Sequence, residues 1–358
     1  MDERILKNEE KAVFDLRALY RRYGYRSFKM SKFEEYDLYL RHKDFLVSDR
    51  IVTFSDTNGR LMALKPDVTL SIIKNGEDGK GKKQKVYYNE NVYRPSGSTH
   101  RFKEIMQTGL ECIGDIDAYD VFEAVWLAAQ SLATVSDRYI LDISHLGLLS
   151  AFLDETGGDA EFRRKAGAFI AEKNEHDLKA LGAGEKLCAL ARTHGEPDAV
   201  IAKLEPLCDS EAARAALREL KALASTLKAV GAGKVRFDFS IVNDMKYYNG
   251  IVFQGFLDGI CESVLSGGQY DNLMKRMGRK ARAVGFALYL DLLEELETPR
   301  EDFEADILLL YDETVPIETL AAEVQKRTAA GQTVSVRKTA PEGGRFRQTV
   351  KLGEEARP

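Results

Sequence analysis

The chain has 358 residues, 44% of them apolar, which suggests two domains and a possible small third, each with an ordinary packed core. Its 52 Lys and Arg against 57 Asp and Glu leave a net charge of −5, which argues against a surface built to attract phosphate backbones, so nucleic acid is a poor default partner. The charged opening MDERILKNEEK, with no later run of about 18 uncharged apolar residues, disfavours export and membrane insertion and points to the cytoplasm. Cys112, Cys188, Cys208 and Cys261 lie far apart with no CxxC pair, as expected of reduced thiols; neither a structural metal nor a disulfide framework is expected.

Along the chain, Val13, Leu16, Leu19, Tyr20 and Tyr23 recur at the spacing of one helical face, which predicts a helix over Asn8 to Tyr23. Ile51 to Leu64 reads as two strands around Asp56-Thr57-Asn58-Gly59, with a short helix following at Pro66. Gly76 to Lys83 is a polar, glycine-rich linker, and Val86 to Gly114 a strand-loop-strand with its loop at Pro95 to Arg101. A helix at Ala118 to Val135, a strand at Tyr139 to Ile143 and a helix from Leu146 follow. Residues 159–230 turn rich in Ala, Leu, Lys and Glu, with helical periodicity and no strand signal, and read as a helical insertion. Strands are predicted at Lys234 to Ile241, Tyr247 to Phe256, Cys261 to Leu265 and Arg282 to Ala287, with a helix near Leu296. Ala305 to Tyr311, Ile317 to Arg327 and Thr333 to Arg337 form a small strand-helix-strand tail. The pattern predicts an α+β fold: mixed antiparallel strands with helices on one face, a core of residues 1–158 and 231–298, and a tail at 299–358.

Several polar groups, Arg94, Gln107, Glu111, Tyr248 and Tyr270, fall in or beside strands expected to be half-buried, where a charge needs a partner. Taken singly, each more often satisfies a neighbour or faces solvent. Gln107 and Glu111, however, are four apart and so share a strand face, and Gly109 between them leaves space for a ligand to approach.

Those residues sit in segments that resemble a known family. Tyr93-Arg94-Pro95, the loop, and Arg101 to Gly114 (RFKEIMQTGLECIG) resemble motif 2 of class II aminoacyl-tRNA synthetases in its histidyl form. Asp244 to Phe253 (DMKYYNGIVF) resembles the histidine-binding signature, Ser266 to Leu273 through Val284-Gly285-Phe286-Ala287 resembles motif 3, and Leu64 to Thr69 (LKPDVT) the segment that holds the amino group. The resemblance spans residues 1 to about 295, in the family's order, and implies an antiparallel class II sheet flanked by helices. It further implies that Asp67, Thr69 and Gln107 take the ammonium of a bound histidine, Arg94 its carboxylate, Glu111 with Tyr248 its imidazole, and that Tyr270 lines the pocket.

Where the family carries an adenine-reading glutamate, a motif 3 arginine and the signature's arginine, this chain has Ser96, Leu292 and Asn243. Losing one preorganised group that stabilises transition-state charge costs about 3–4 kcal/mol, a factor of about 10²–10³, so amino-acid activation should be negligible. A retained amino-acid cradle without the ATP groups resembles the synthetase-like regulatory subunits of ATP phosphoribosyltransferase. Leu141 to Leu148 (LDISHLGL) and Asp67 agree with that paralogue. The resemblance implies no catalysis and no cofactor, histidine as feedback effector, a short-form catalytic subunit as partner, and at least a homodimer formed through the helix at Asn8 to Tyr23 and the strands of Ile51 to Leu64. A divergent histidyl-tRNA synthetase and an orphan small-molecule-binding relative are the alternatives.

Three features invite over-reading. His145 has no nucleophile or metal partner in the sequence pattern and reads as structural. Gly267-Gly268 lacks the rest of a nucleotide fingerprint and fits close backbone approach. Lys82, Lys83 and Lys85 read as a solvated loop rather than a tRNA contact.

Overall fold

The computed structural model describes residues 8–43, 46, 50–76, 83–95, 101–242, 247–296 and 303–353. In chain order the elements are α1 (Asn8–Arg22), β1 (Arg26–Ser27), β2 (Phe33–Glu35), α2 (Tyr36–Arg41), β3 (Thr53–Ser55), β4 (Leu61–Leu64), α3 (Thr69–Asn75), β5 (Lys83–Pro95), β6 (Phe102–Gly114), α4 (Ala118–Val135), β7 (Tyr139–His145) and α5 (Leu146–Thr156). There follow α6 (Ala160–Ala171), α7 (Glu175–Ala180), α8 (Gly184–Arg192), β8 (His194–Gly195), α9 (Pro197–Leu204), α10 (Glu211–Ala229), β9 (Val235–Asp238), β10 (Ile251–Leu257), β11 (Leu265–Gln269), α11 (Asp271–Arg276) and β12 (Arg282–Tyr289). A 3₁₀ turn at Asp291–Leu296 precedes β13 (Ala305–Leu310), α12 (Ile317–Ala329), β14 (Val334–Arg337) and β15 (Phe346–Lys351).

Two units result, Met1–Leu296 and Glu297–Pro358. In the first, nine strands form one sheet in the order β1-β5-β6-β12-β11-β10-β7-β9-β8. The centre, β5 through β7, is antiparallel throughout, while β1 joins β5 and β9 joins β7 in parallel. A separate small sheet has the order β2-β4-β3. In the second unit β14, β13 and β15 form a parallel sheet.

Alternation along the strands gives the large sheet two unlike faces. Leu110 and Cys112 on β6, Ile251 and Phe253 on β10, and Val284, Phe286 and Leu288 on β12 turn to one face, where α1, α4, α5 and the helices of 160–229 complete the main core. The opposite parity carries Gln107, Gly109 and Glu111 on β6 and Gly285, Ala287 and Tyr289 on β12. It meets a second cluster built from α2, α3 and α11. Helices therefore lie on both faces, the long ones on one and three short ones on the other, which corrects the expectation of a single helical face.

Local signals explain most elements. Asp117 and Asp120 close a reciprocal capping box at the start of α4. Pro197 sits in the first turn of α9 behind a Glu196 cap. α10 presents Ala213, Ala216, Leu217, Leu220, Leu223, Ala224 and Leu227 as one buried stripe.

Some expectations shift. The strand expected at Cys261 to Leu265 lies at Leu265–Gln269. Its sequence, LSGGQ, has poor strand propensity, and its position between β10 and β12 overrides that. The helical insertion contains a two-residue strand, β8, too short to leave a signal, which pairs with β9. Lys83 and Lys85 lie within β5 rather than in a loop; Lys83 pairs with Asp120 at 2.7 Å and Lys85 with Glu123, both on α4. The linker at Gly76 to Lys83 and the loop at Pro95 to Arg101 fall largely outside the described residues, as does Lys82.

Phe152 on α5 is fully buried in the same core as the sheet residues and the α8 and α10 leucines. Phe152→Ala should cost about 3–5 kcal/mol. Because the helices of 160–229 share that core, sheet and helices should lose structure in one transition, followed by urea denaturation with far-UV and near-UV circular dichroism. Loss of the helices of 160–229 in a transition separate from that of the large sheet would contradict a shared core.

Candidate functional site: a pocket around a buried carboxyl

The second sheet face holds a cavity of about 500 Å³, within the range of pockets that take whole small molecules. All seven residues expected at the site line it: Asp67, Thr69, Arg94, Gln107, Glu111, Tyr248 and Tyr270.

Glu111, in the middle of β6, is 2% exposed. Thr69 Oγ1 donates to its Oε1 at 2.7 Å and Tyr270 Oη donates to its Oε2 at 2.5 Å. No cation faces it at ion-pairing distance among the described residues. Burial, opposed by the Tyr270 and Thr69 hydrogen bonds, raises its carboxyl to about 8. The group therefore keeps its proton to a far higher pH than an ordinary glutamate. Opposite it on β12 is Gly285, register partner of Glu111, where an added Cβ would collide with Oε2 and with the Leu110 carbonyl. Only glycine leaves room for this carboxyl to lie against the sheet.

Thr69 reaches Glu111 because α3 starts there. The segment before it is fastened to β5 by Lys65, fully buried, whose Nζ meets Glu90 at 2.5 Å, and by the Tyr93 N–H on the Lys65 carbonyl at 3.0 Å. Asp67 Oδ1 accepts from the Leu70 N–H at 2.8 Å, a capping role beside the expected ammonium-binding one. Burial raises the Asp67 carboxyl, while Arg94 and the Leu70 and Thr69 amides pull the other way. Arg94 Nε donates to the Pro66 carbonyl at 2.6 Å, and its Nη2 stands 3.9 Å from Asp67 Oδ2.

Gln107 is 2% exposed, and its amide nitrogen has no hydrogen-bond partner. A buried, unsatisfied donor in a cavity wall costs about 1–3 kcal/mol unless something in the cavity meets it. Tyr247, Tyr248 and Tyr270 form an aromatic wall, with ring centroids 4.6 Å apart for the first pair and 5.8 Å for Tyr247 and Tyr270.

Gly109 plays a different part from the one expected. The space beside it is filled by Tyr88, whose hydroxyl would lie 2.6 Å from a Cβ at 109, and by the Phe286 carbonyl. The glycine admits a tyrosine, and the ligand space lies further along the face. Tyr88 and Tyr289 line the cavity and were missed as site residues, although Tyr88 shares strand parity with Arg94, and Tyr289 with Gly285.

Of the three departures from the ATP-handling pattern, Ser96 and Asn243 lie outside the described residues. Leu292 packs its side chain against the main core and takes no part in the cavity wall. His145 caps α5: its Nδ1 accepts from the Leu148 N–H at 3.3 Å, and its Nε2 meets Glu219 Oε2 of α10 at 3.1 Å.

A largely antiparallel sheet with long helices on its outer face and a polar-lined cavity of about 500 Å³ on its inner one fits the core of a class II aminoacyl-tRNA synthetase. The family model described as histidyl-tRNA synthetase matches residues 1–293, and the chain belongs to that family. It is 28% identical over 309 residues to an ATP phosphoribosyltransferase regulatory subunit of Oceanobacillus iheyensis, covering 81% of this chain and 75% of that one. Among solved structures, one described as an ATP phosphoribosyltransferase regulatory subunit/histidyl-tRNA synthetase, from Bacillus halodurans, superposes with a TM-score of 0.75 at 24% identity, covering 98% of this chain and 95% of its own. A chain of an ATP phosphoribosyltransferase complex from Thermotoga maritima gives 0.63 at 20% identity, covering 81% and 98%. These two establish likeness of fold.

The raised Glu111 carboxyl has a testable sign. Its folded value of about 8 lies above the ordinary glutamate range, so the native state binds this proton more tightly than the unfolded chain. Its contribution to stability is complete below about pH 4.5 and is lost as pH rises through about 8, with a limiting slope of about 1.4 kcal/mol per pH unit. Urea midpoints of wild type and Glu111→Gln between pH 5 and about 8.5 should show the wild-type advantage shrinking with pH. A pH-independent difference would contradict the assignment.

Proposed function

We propose that the protein is a non-catalytic regulatory subunit of ATP phosphoribosyltransferase that binds histidine as feedback effector and controls a short-form catalytic subunit, in the cytoplasm, at the first step of histidine biosynthesis. The observation that carries the reading is the buried Glu111 carboxyl, held by Thr69 and Tyr270 inside a cavity of single-ligand size. A carboxyl titrating near neutrality either donates to or accepts from a ring nitrogen, and an imidazole presents one nitrogen of each kind. Tyr248 faces the same space, Gln107 brings an unmet polar group, and Arg94 supplies the cation for a ligand carboxylate. Asp67, Thr69 and the amide oxygen of Gln107, all in the cavity wall, are the acceptors assigned to the ligand's ammonium.

The name carried by the curated relatives supports the regulatory role, and the aliphatic Leu292, turned into the core, supports the loss of adenylation chemistry. No helix among the described residues is long and apolar enough to cross a membrane. For self-association, Phe33 and Phe54 on the small sheet are 44% and 37% exposed, with ring centroids 5.5 Å apart, on the face they share with Met62 and Leu64. An apolar patch of this kind supports a homodimer through this region.

Calorimetry should detect histidine binding to the wild type and its loss in Glu111→Ala, because a pocket whose polar group is left unmatched discriminates far more strongly than an apolar one. In a complex with the catalytic subunit, histidine inhibition should disappear with the same variant; undiminished inhibition would place the effector site elsewhere. Histidine-dependent pyrophosphate–ATP exchange at a synthetase-like rate would instead establish the divergent-synthetase reading. Light scattering should give a dimer as the smallest species, and a monomer at micromolar concentration would contradict the dimer.

A further inference from the structure

Residues 275–282, Lys-Arg-Met-Gly-Arg-Lys-Ala-Arg, place five cations in eight positions of a chain whose net charge is −5. Lys275, Arg276, Lys280 and Arg282 are exposed, and Arg279 is half-buried. Asp271 answers Arg282 at 3.0 Å. The segment is the turn between α11 and β12, and its shape is fixed by Gly278 at φ +73°. There the Gly278 N–H meets the Lys275 carbonyl at 3.0 Å and the Arg279 N–H meets the Met274 carbonyl at 2.9 Å, the paired closure that ends a helix at a left-handed glycine.

That reversal carries Arg279 back onto α3. Its Nη2 donates to the carbonyls of Ile73 and Lys74, at 3.1 and 3.2 Å, in the last turn of α3. The turn is thus attached to three elements that grip Glu111. α3 begins with Thr69, which donates to Oε1; α11 follows directly on Tyr270, which donates to Oε2; and β12 carries Gly285, whose missing Cβ makes room for the carboxyl. A ligand that alters how Glu111 is held acts on all three, and all three meet at a basic surface.

We propose that this basic turn is the surface on which an acidic face of the partner protein docks, and that it passes the state of the Glu111 pocket to that partner. The proposal rests on the regulatory-subunit reading and adds the contact surface and the route of coupling. Charge complementarity of this kind steers association and fixes register. A polyanion such as RNA calls for a longer basic track than one turn on an acidic chain.

The test uses the full chain with a short-form ATP phosphoribosyltransferase catalytic subunit and two variants. Lys275→Glu/Lys280→Glu, remote from the pocket wall, should bind histidine as wild type does by calorimetry. Its association with the catalytic subunit, by sedimentation, should weaken by about tenfold or more and lose the salt sensitivity of the wild type. Arg279→Ala addresses the route. By linkage, histidine changes the association constant of the wild type by some factor, commonly about 5–150, and the partner changes histidine affinity by the same factor. In Arg279→Ala that factor should fall towards one while histidine still binds. A merely structural arginine would lower stability and leave the factor intact. Wild-type association in both variants overturns the proposal. Failure of the wild type to associate at all overturns the regulatory reading beneath it. Salt-sensitive binding of transfer RNA by the wild type, lost in the double variant, overturns it in favour of a polyanion site.

Discussion

A carboxyl group removed from water, with no cation beside it among the described residues, is the constraint around which this molecule is built. Left ionised and unanswered, such a group is among the costliest things a protein can bury. Here the cost is held down by two hydroxyl donors, one per oxygen, and by retention of the proton up to about pH 8. Each donor comes from a different element, Thr69 from the start of α3 and Tyr270 from the link between β11 and α11. The arrangement holds only while those elements keep their places on the sheet.

The sheet supplies that rigidity. Its outer face is continuous apolar packing beneath the long helices, and its inner face is interrupted by small residues where polar groups need space. Gly285 makes room for Glu111, Gly109 for Tyr88 and Gly268 for Tyr248, while on the outer face Gly267 lets Phe253 and Phe286 close on the thin central strand β11. A strand so poor in intrinsic propensity forms because both neighbours pair with it. The site therefore depends on tertiary context at the place where local sequence is weakest, as expected of a functional region.

Much of this was legible in the sequence, for identifiable reasons. The α4 boundaries at Ala118 and Val135 follow from strong periodicity, and Gln107 and Glu111 share a face because a strand has period two. The seven pocket residues come together from five separate stretches of chain because the resemblance placed each on a matching motif. What stayed hidden needs register across long separations. Nothing in the sequence pairs Gly285 with Glu111 or sets Tyr88 over Gly109; both follow from the order of β5, β6 and β12. The short α2 and α11 carry too few turns for periodicity to show. The second role of Asp67, as a cap on α3, depends on where that helix starts, three residues beyond the expected Pro66.

The most direct test of the account is nitrogen NMR of ring-labelled histidine added to the wild-type protein across pH 6 to 9, spanning the Glu111 midpoint of about 8. The account predicts a bound species whose two ring nitrogens are inequivalent, one hydrogen-bonded to the carboxyl, with shifts that titrate in step with Glu111 and vanish in Glu111→Gln. Ring signals that stay at their free values at millimolar protein, or that are bound identically in wild type and variant, would contradict it.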